Sequence, residues 1–264
     1  MLNLVQGRKK NSSAGEPLHM PFNVLNSAEC FIRKSQLTLI AGGPGTGKSA
    51  FTQALLQRGN DNGAHNSVMY FSADSDAMTM WKRAAAIATG WEQSEIERMV
   101  AAGNHSGLDT EVKAATAHMR FDYRSAPDEA DVLNSLYAYA QVYGEYPEVI
   151  VMDNLRNLFI DGVEGEFQAL DQATVFLHDL AKDINAAVIG LHHVVGDSEN
   201  GDKPIPLSGI RGKVTKIPEV CLTLYRQGDV LNVSPVKNRN GRADASGSLS
   251  YQIRTDMARM GYTG

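Results

Sequence analysis

Eight consecutive residues, Gly42-Gly43-Pro44-Gly45-Thr46-Gly47-Lys48-Ser49, carry the chemistry that spacing defines most sharply. They fit G-x-x-x-x-G-K-[ST], a loop whose glycines let backbone N–H groups turn inward around a polyphosphate. A helix beginning where the loop ends adds the positive end of its dipole. Gly43, Pro44, Gly45, Thr46, Gly47, Lys48, Ser49 and Ala50 would then line the phosphates. Lys48 would reach the β- and γ-phosphates, and the Ser49 hydroxyl would ligate Mg²⁺. The ligand implied is a nucleoside triphosphate.

Four further positions could complete that chemistry. Asp153 closes the apolar run Val149-Ile150-Val151-Met152 and reads as the carboxylate that shares Mg²⁺ with Ser49. Asp74 ends an earlier run, Val68 to Ser72, where it could orient or deprotonate an attacking water. Asp76 competes for that role, and either aspartate could instead cap the helix that follows. His192 and His193 end another apolar run, where one could hydrogen-bond a γ-phosphate or both could be ordinary polar strand ends. The same aspartates with the histidine pair also leave open a divalent-metal site for nuclease chemistry.

These residues need elements that bring them together. Gln36 to Ile40 reads as a buried strand and Ala50 to Gln57 as a helix, the strand–loop–helix setting the loop requires. Helical spacing covers Met78 to Ala88, Trp91 to Ala102, Pro127 to Val142 and Glu166 to Ile184. Strands are expected at Val68 to Ser72, His118 to Tyr123, Val149 to Asp153 and Ala186 to Leu191. Val220 to Tyr225, Val230 to Val236 and Leu249 to Ile253 follow without helices between them, so they read as an antiparallel meander at one edge. Alternating strands and helices imply an α/β fold, a mainly parallel sheet with helices on both faces. In such sheets, polar residues at the carboxyl ends of successive strands converge on one ligand.

Composition narrows the classes. The chain has 264 residues, a formal net charge of −5 and two cysteines, Cys30 and Cys221. That balance excludes a wholesale basic surface, so any nucleic-acid contact must be local. No apolar run has the length of a membrane span, and neither a signal peptide nor a disulfide or zinc spacing is present. A cytoplasmic setting is expected, the host's if the gene is carried by a phage. The expected division is a flexible arm at 1–20, one ATPase domain at 21–256 and a tail at 257–264.

Taken together, the loop, Asp74, Val149-Ile150-Val151-Met152-Asp153, the His192-His193 strand end and Lys237-Asn238-Arg239-Asn240-Gly241 resemble a known family. They are similar to the RecA-type ATPase domain of DnaB-type hexameric helicases, including the small single-domain helicases of phages and plasmids. The resemblance runs from about Pro21 to Ile253. It implies a RecA-like P-loop NTPase that hydrolyses ATP with Mg²⁺ at the subunit interfaces of a homo-oligomer, a hexameric ring, and moves on single-stranded or forked DNA during replication. By position, Lys48 and Ser49 match the Walker A pair, Asp153 the Walker B aspartate and Asp74 the catalytic glutamate. His193 matches the γ-phosphate sensor, and Lys237 and Arg239 the basic pair supplied by the neighbouring subunit. The loop after His193, with Lys203, Arg211, Lys213 and Lys216, matches a DNA-binding loop.

The sequence departs from the family at three points. No collar domain of the replicative-helicase kind is expected, Asp74 is a methylene shorter than glutamate, and the basic loop also carries Asp197, Glu199 and Asp202. Three rival readings stand beside the helicase: a filament-forming recombination ATPase of RecA/RadA type, a metal-dependent nuclease on the same fold, and a switch ATPase that does not touch DNA.

Overall fold

The computed structural model describes residues 12–264 apart from 19, 60–62 and 213. In chain order the elements are α1 (Asn23–Ser27), β1 (Leu37–Gly42), α2 (Lys48–Gln57), β2 (Val68–Ser72) and α3 (Ala77–Thr89). Then come α4 (Gln93–Ala101), α5 (Ser106–Ala115), β3 (Met119–Asp122), α6 (Glu129–Tyr143) and β4 (Val149–Asp153). The chain continues with α7 (Glu166–Asp183), β5 (Ala187–His193), β6 (Val220–Gln227), β7 (Val230–Asn238), β8 (Tyr251–Asp256) and β9 (Gly261–Thr263). One sheet holds every strand, in the order β3-β2-β4-β5-β1-β6-β7-β8-β9. From β3 to β6 neighbouring strands are parallel, and from β6 to β9 they are antiparallel.

Strand periodicity explains how unbroken apolar runs serve two faces at once. Ile40, Val68, Tyr70, Val149, Val151, Ile189 and Leu191 join one core with Phe22, Phe51 and Tyr262. Their sequence neighbours Leu39, Ala41, Met69, Phe71, Ile150, Met152 and Val188 join the other, beneath Val132 and Leu136 of α6 and Leu170 and Leu177 of α7. Each fully buried large side chain removes enough apolar surface from water to stabilise by about 2 kcal/mol. A smaller cluster packs α3, α4 and α5 together through Ala85, Ile96 and Leu108.

Several boundaries differ from expectation for identifiable reasons. The helix expected from Pro127 begins at Glu129, because Asp128 and Asp131 form a reciprocal capping box. Sequence reading left 106–115 unassigned, yet Leu108 and Val112 give α5 an apolar stripe. The segment expected as a tail, 257–264, contains β9, whose Tyr262 is 2% exposed against Phe22 and Phe51. Within the segment expected as a free arm, Leu18 and Met20 are buried. Leu18 N–H donates to Ile32 O and Gly15 N–H to Lys34 O, so residues 15–18 run beside 32–34. The first eleven residues lie outside those described.

Candidate active site

Six parallel strands end on the same side as the loop Gly43–Gly47, and the side chains there form one cleft. It has a volume of about 380 Å³ and is lined by Lys48, Ser49, Asp74, Arg83, Asp153 and His193, among others. The loop owes its shape to glycine where a side chain would be strained: φ is +73° at Gly45 and +96° at Gly47. Thr46 Oγ1 donates to Gly43 O at 2.8 Å, closing the turn. Lys48 begins α2, is nearly buried, and its ammonium donates to Gly42 O and Gly43 O, both at 3.1 Å. Burial pulls the Lys48 ammonium below its ordinary pKa, while the charges of Asp153 and Asp74 oppose that shift.

Asp153 sits at the end of β4 with 1% exposure. Burial raises its pKa above the ordinary carboxylate range, against hydrogen bonds from the Ser49 hydroxyl and from Tyr70 OH at 2.9 Å. A hydroxyl and a carboxylate face each other here, two hard oxygen ligands of the kind Mg²⁺ takes while keeping its waters. The donor set therefore fits that ion.

The structure separates the two competing aspartates. Asp76 caps α3, accepting from Thr79 N–H at 2.9 Å and from Thr79 Oγ1 at 2.8 Å, and this holds its carboxyl below the ordinary range. Asp74 points into the cleft, where its Oδ2 accepts from Asn154 Nδ2 at 2.5 Å. With Asp76 turned to its own helix, the aspartates do not form one ligand set. Among the described residues no group of three or more His, Cys, Asp or Glu is disposed to hold a metal ion. Asp76 is thereby removed from the ligand set that the metal-dependent nuclease alternative drew on.

Asn154, which sequence reading passed over, is the link between the candidate base and the candidate sensor. Its Oδ1 accepts from Arg156 N–H at 2.9 Å, which fixes the amide orientation. Its Nδ2 then has one hydrogen for Asp74 and one for His193 Nε2, 3.1 Å away. A nitrogen that accepts this bond carries no proton, so His193 is neutral with its hydrogen on Nδ1. Burial and the nearby Lys48 charge lower its pKa in the same sense. The signal available in the sequence was a lone side-chain amide directly after the strand-ending aspartate. Arg83 of α3 and Met257 and Met260 of the β8–β9 turn also line the cleft and were likewise missed.

His192 does something else. Its Nε2–H donates to Arg211 O at 2.8 Å, tying β5 to the returning loop, and burial pushes its pKa down to about 4. That loop lies against the phosphate-binding loop itself. A Cβ on Gly43 would stand 2.3 Å from Glu199 O, and one on Gly201 would stand 2.1 Å from Thr46 Cγ2.

The expected DNA-binding cations are spread unevenly. Lys203 and Lys216 are exposed, and Lys213 lies outside the described residues. Arg211 is paired with Glu166 at 2.8 Å, and Arg156 approaches the same carboxylate at 3.6 Å. These pairs join the loop after β5 to the loop after β4.

Lys237 and Arg239 lie at the other end of the sheet. β6 runs parallel to β1 with Val220 beside Thr38, and Asn238 of β7 pairs with Val220. The pair is thus beside the start of β1, whereas the P-loop follows its end. Lys237 Nζ donates to Thr215 O at 2.7 Å and Lys216 O at 3.0 Å, and Arg239 Nη2 donates to Lys216 O at 3.2 Å.

A P-loop between β1 and α2, a strand-end aspartate and a parallel sheet with an antiparallel edge define a RecA-like P-loop protein. Solved structures share that fold. One of them, an ATPase domain, superposes with a TM-score of 0.78 at 15% identity, covering 99% of this chain and 96% of that one. A DnaB-like replicative helicase, solved in a study of its interactions with primase, gives 0.79 at 16%, covering 98% of this chain and 64% of that one. The KaiC-like protein PH0186 of Pyrococcus horikoshii OT3 gives 0.62 at 14%, with 94% and 98% covered. Residues 18–257 match the model of the DnaB-like helicase C terminal domain, and the chain belongs to that family. It is 39% identical over 244 residues to the Gene 65 protein of Mycobacterium phage L5, spanning 89% of this chain and 88% of that protein. The Gene 65 protein of Mycobacterium phage D29 is 38% identical over 221 residues, with 80% and 92% covered. Among the described residues no helix is long and apolar enough to cross a membrane.

Proposed function

We propose that this chain is an ATP-hydrolysing DNA motor, a helicase or translocase of replication that works as a ring with ATP between subunits. The observation that carries this reading is the convergence of Lys48, Ser49, Asp74, Asp153, Asn154 and His193 on one cleft. Lys48 would hold the β- and γ-phosphates, and Ser49 and Asp153 the Mg²⁺ that neutralises developing charge. Asp74, anchored by Asn154, would orient and deprotonate the attacking water. His193, neutral, would offer Nδ1–H to a γ-phosphate oxygen. Lys237 and Arg239 sit too far round the sheet to serve their own P-loop, which favours a role at the next subunit's site. The Arg211–Glu166 pair holds the loop expected to meet DNA against the start of α7.

The test is ATP hydrolysis with and without single-stranded DNA, followed by strand displacement on a forked duplex. DNA-stimulated turnover with unwinding is expected. Hydrolysis indifferent to DNA would move the chain to the switch-ATPase reading, and filaments in negative-stain images to the recombination reading.

A further inference from the structure

Glu219 is a buried carboxylate that the chemistry above leaves without a role. It is 8% exposed, and all its polar groups are engaged. Its backbone N–H donates to Leu37 O at 3.1 Å, and its Oε2 accepts from Leu37 N–H at 3.1 Å. Its backbone oxygen accepts from Arg239 N–H at 3.0 Å, while Oε1 faces the Arg239 guanidinium at 3.6 Å. His178 of α7 also approaches the carboxylate, with Nε2 3.3 Å from Oε1. One residue therefore grips the first residue of β1, the strand that ends in the P-loop, and also Arg239 by main chain and side chain together.

We infer that Glu219 is the positioning residue for Arg239, holding the guanidinium in the orientation it needs to act on the neighbouring subunit's nucleotide. This rests on the proposed function. A guanidinium half in solvent has several rotamers, and rates fall steeply when a catalytic group is misplaced by an ångström. Glu219 removes that freedom from below, and the Lys216 carbonyl fixes the second Nη. Lys237 holds the same carbonyl, so the end of the 196–216 loop is seated on Lys237 and on the arginine that Glu219 orders. A bare structural role would be to satisfy Leu37 N–H; an amide oxygen does that equally well, but it cannot hold the arginine by charge.

Glu219→Gln isolates the difference. The variant is expected to fold with an unchanged melting profile, to keep KM for ATP within about twofold, and to lose about tenfold or more in kcat. Because the defect acts across an interface, mixing Glu219→Gln with Lys48→Ala subunits should recover activity, and mixing it with Arg239→Ala should recover none. Glu219→Asp keeps the charge at a longer reach and should show the same pattern with a smaller loss; it also carries the test if Glu219→Gln does not fold. An unchanged or raised kcat, or recovery on mixing with Arg239→Ala, overturns the role. Lys48→Ala with Arg239→Ala is the control. If those two fail to recover each other, the trans-acting arginine itself is wrong and Glu219's role falls with it. If they do and Glu219→Gln does not complement Lys48→Ala, Glu219 alone is refuted.

Discussion

Asp74 and Asp76 are two residues apart, and their environments assign them different tasks. Asp74→Asn should still bind nucleotide and lose hydrolysis, since an amide cannot take the water's proton. Asp76→Asn should hydrolyse normally with a slightly lower melting temperature, because only the α3 cap is weakened. Reversed phenotypes in a phosphate-release assay would exchange the roles. Lys48→Ala should abolish turnover and weaken triphosphate binding, as no other lysine among the described residues lines the cleft. His192 supplies the pH signature. Its folded pKa of about 4 lies below the ordinary 6.5, so the unfolded chain binds the extra proton between those values. Stability from this group is complete above about pH 6.5 and is lost as pH falls towards 4, by roughly 3 kcal/mol. Urea midpoints across that range should slope downward in the native protein and less in His192→Gln; equal slopes would place the titrating group elsewhere.

At the scale of elements, the loop after β5 and the P-loop are built around each other. Gly201 has φ +64° and approaches Thr46 Cγ2 so closely that a Cβ would collide with it. Gly201→Ala should cost about 2 kcal/mol through overpacking and backbone strain. It should also weaken nucleotide binding. Thr46→Ser removes Cγ2 while keeping the hydroxyl bond to Gly43 O, so adding it should return part of the loss; a strictly additive double mutant would show that the two loops do not couple. Charge reversal of Arg211 to Glu should both repel Glu166 and flatten the salt dependence of single-stranded DNA binding. An unchanged slope would move the DNA contact to another loop or remove it altogether. Much of this layer was legible in the sequence. The Gly42–Ser49 spacing, the apolar runs and their terminal aspartate and histidines located strands and cleft, because buried parallel strands leave a strong compositional mark. What was not legible depends on side-chain direction and on distant packing. No local pattern says that Asp76 turns to Thr79 while Asp74 meets Asn154. Nor does one say that Glu199 will rest on Gly43, or that β9, three residues long, will bring Tyr262 into the core.

At the scale of the whole molecule, the last strands are part of the foundation. Tyr262→Ala should cost about 3 kcal/mol or more, the usual range for emptying a buried aromatic site, and thermal unfolding would register it. A loss near zero would mean that the β8–β9 hairpin opens without disturbing Phe51. The position of Lys237 and Arg239 has a different reach. The sheet holds them beside the start of β1, while the phosphate loop lies past its end. On the proposed function, an isolated subunit owns both halves of a reaction centre and cannot fold one onto the other. Turnover per subunit then becomes a property of concentration: it should rise more steeply than first order at low protein and level off once assembly is complete. Simple dilution would silence the protein with every subunit still folded, and restoring the concentration would revive it.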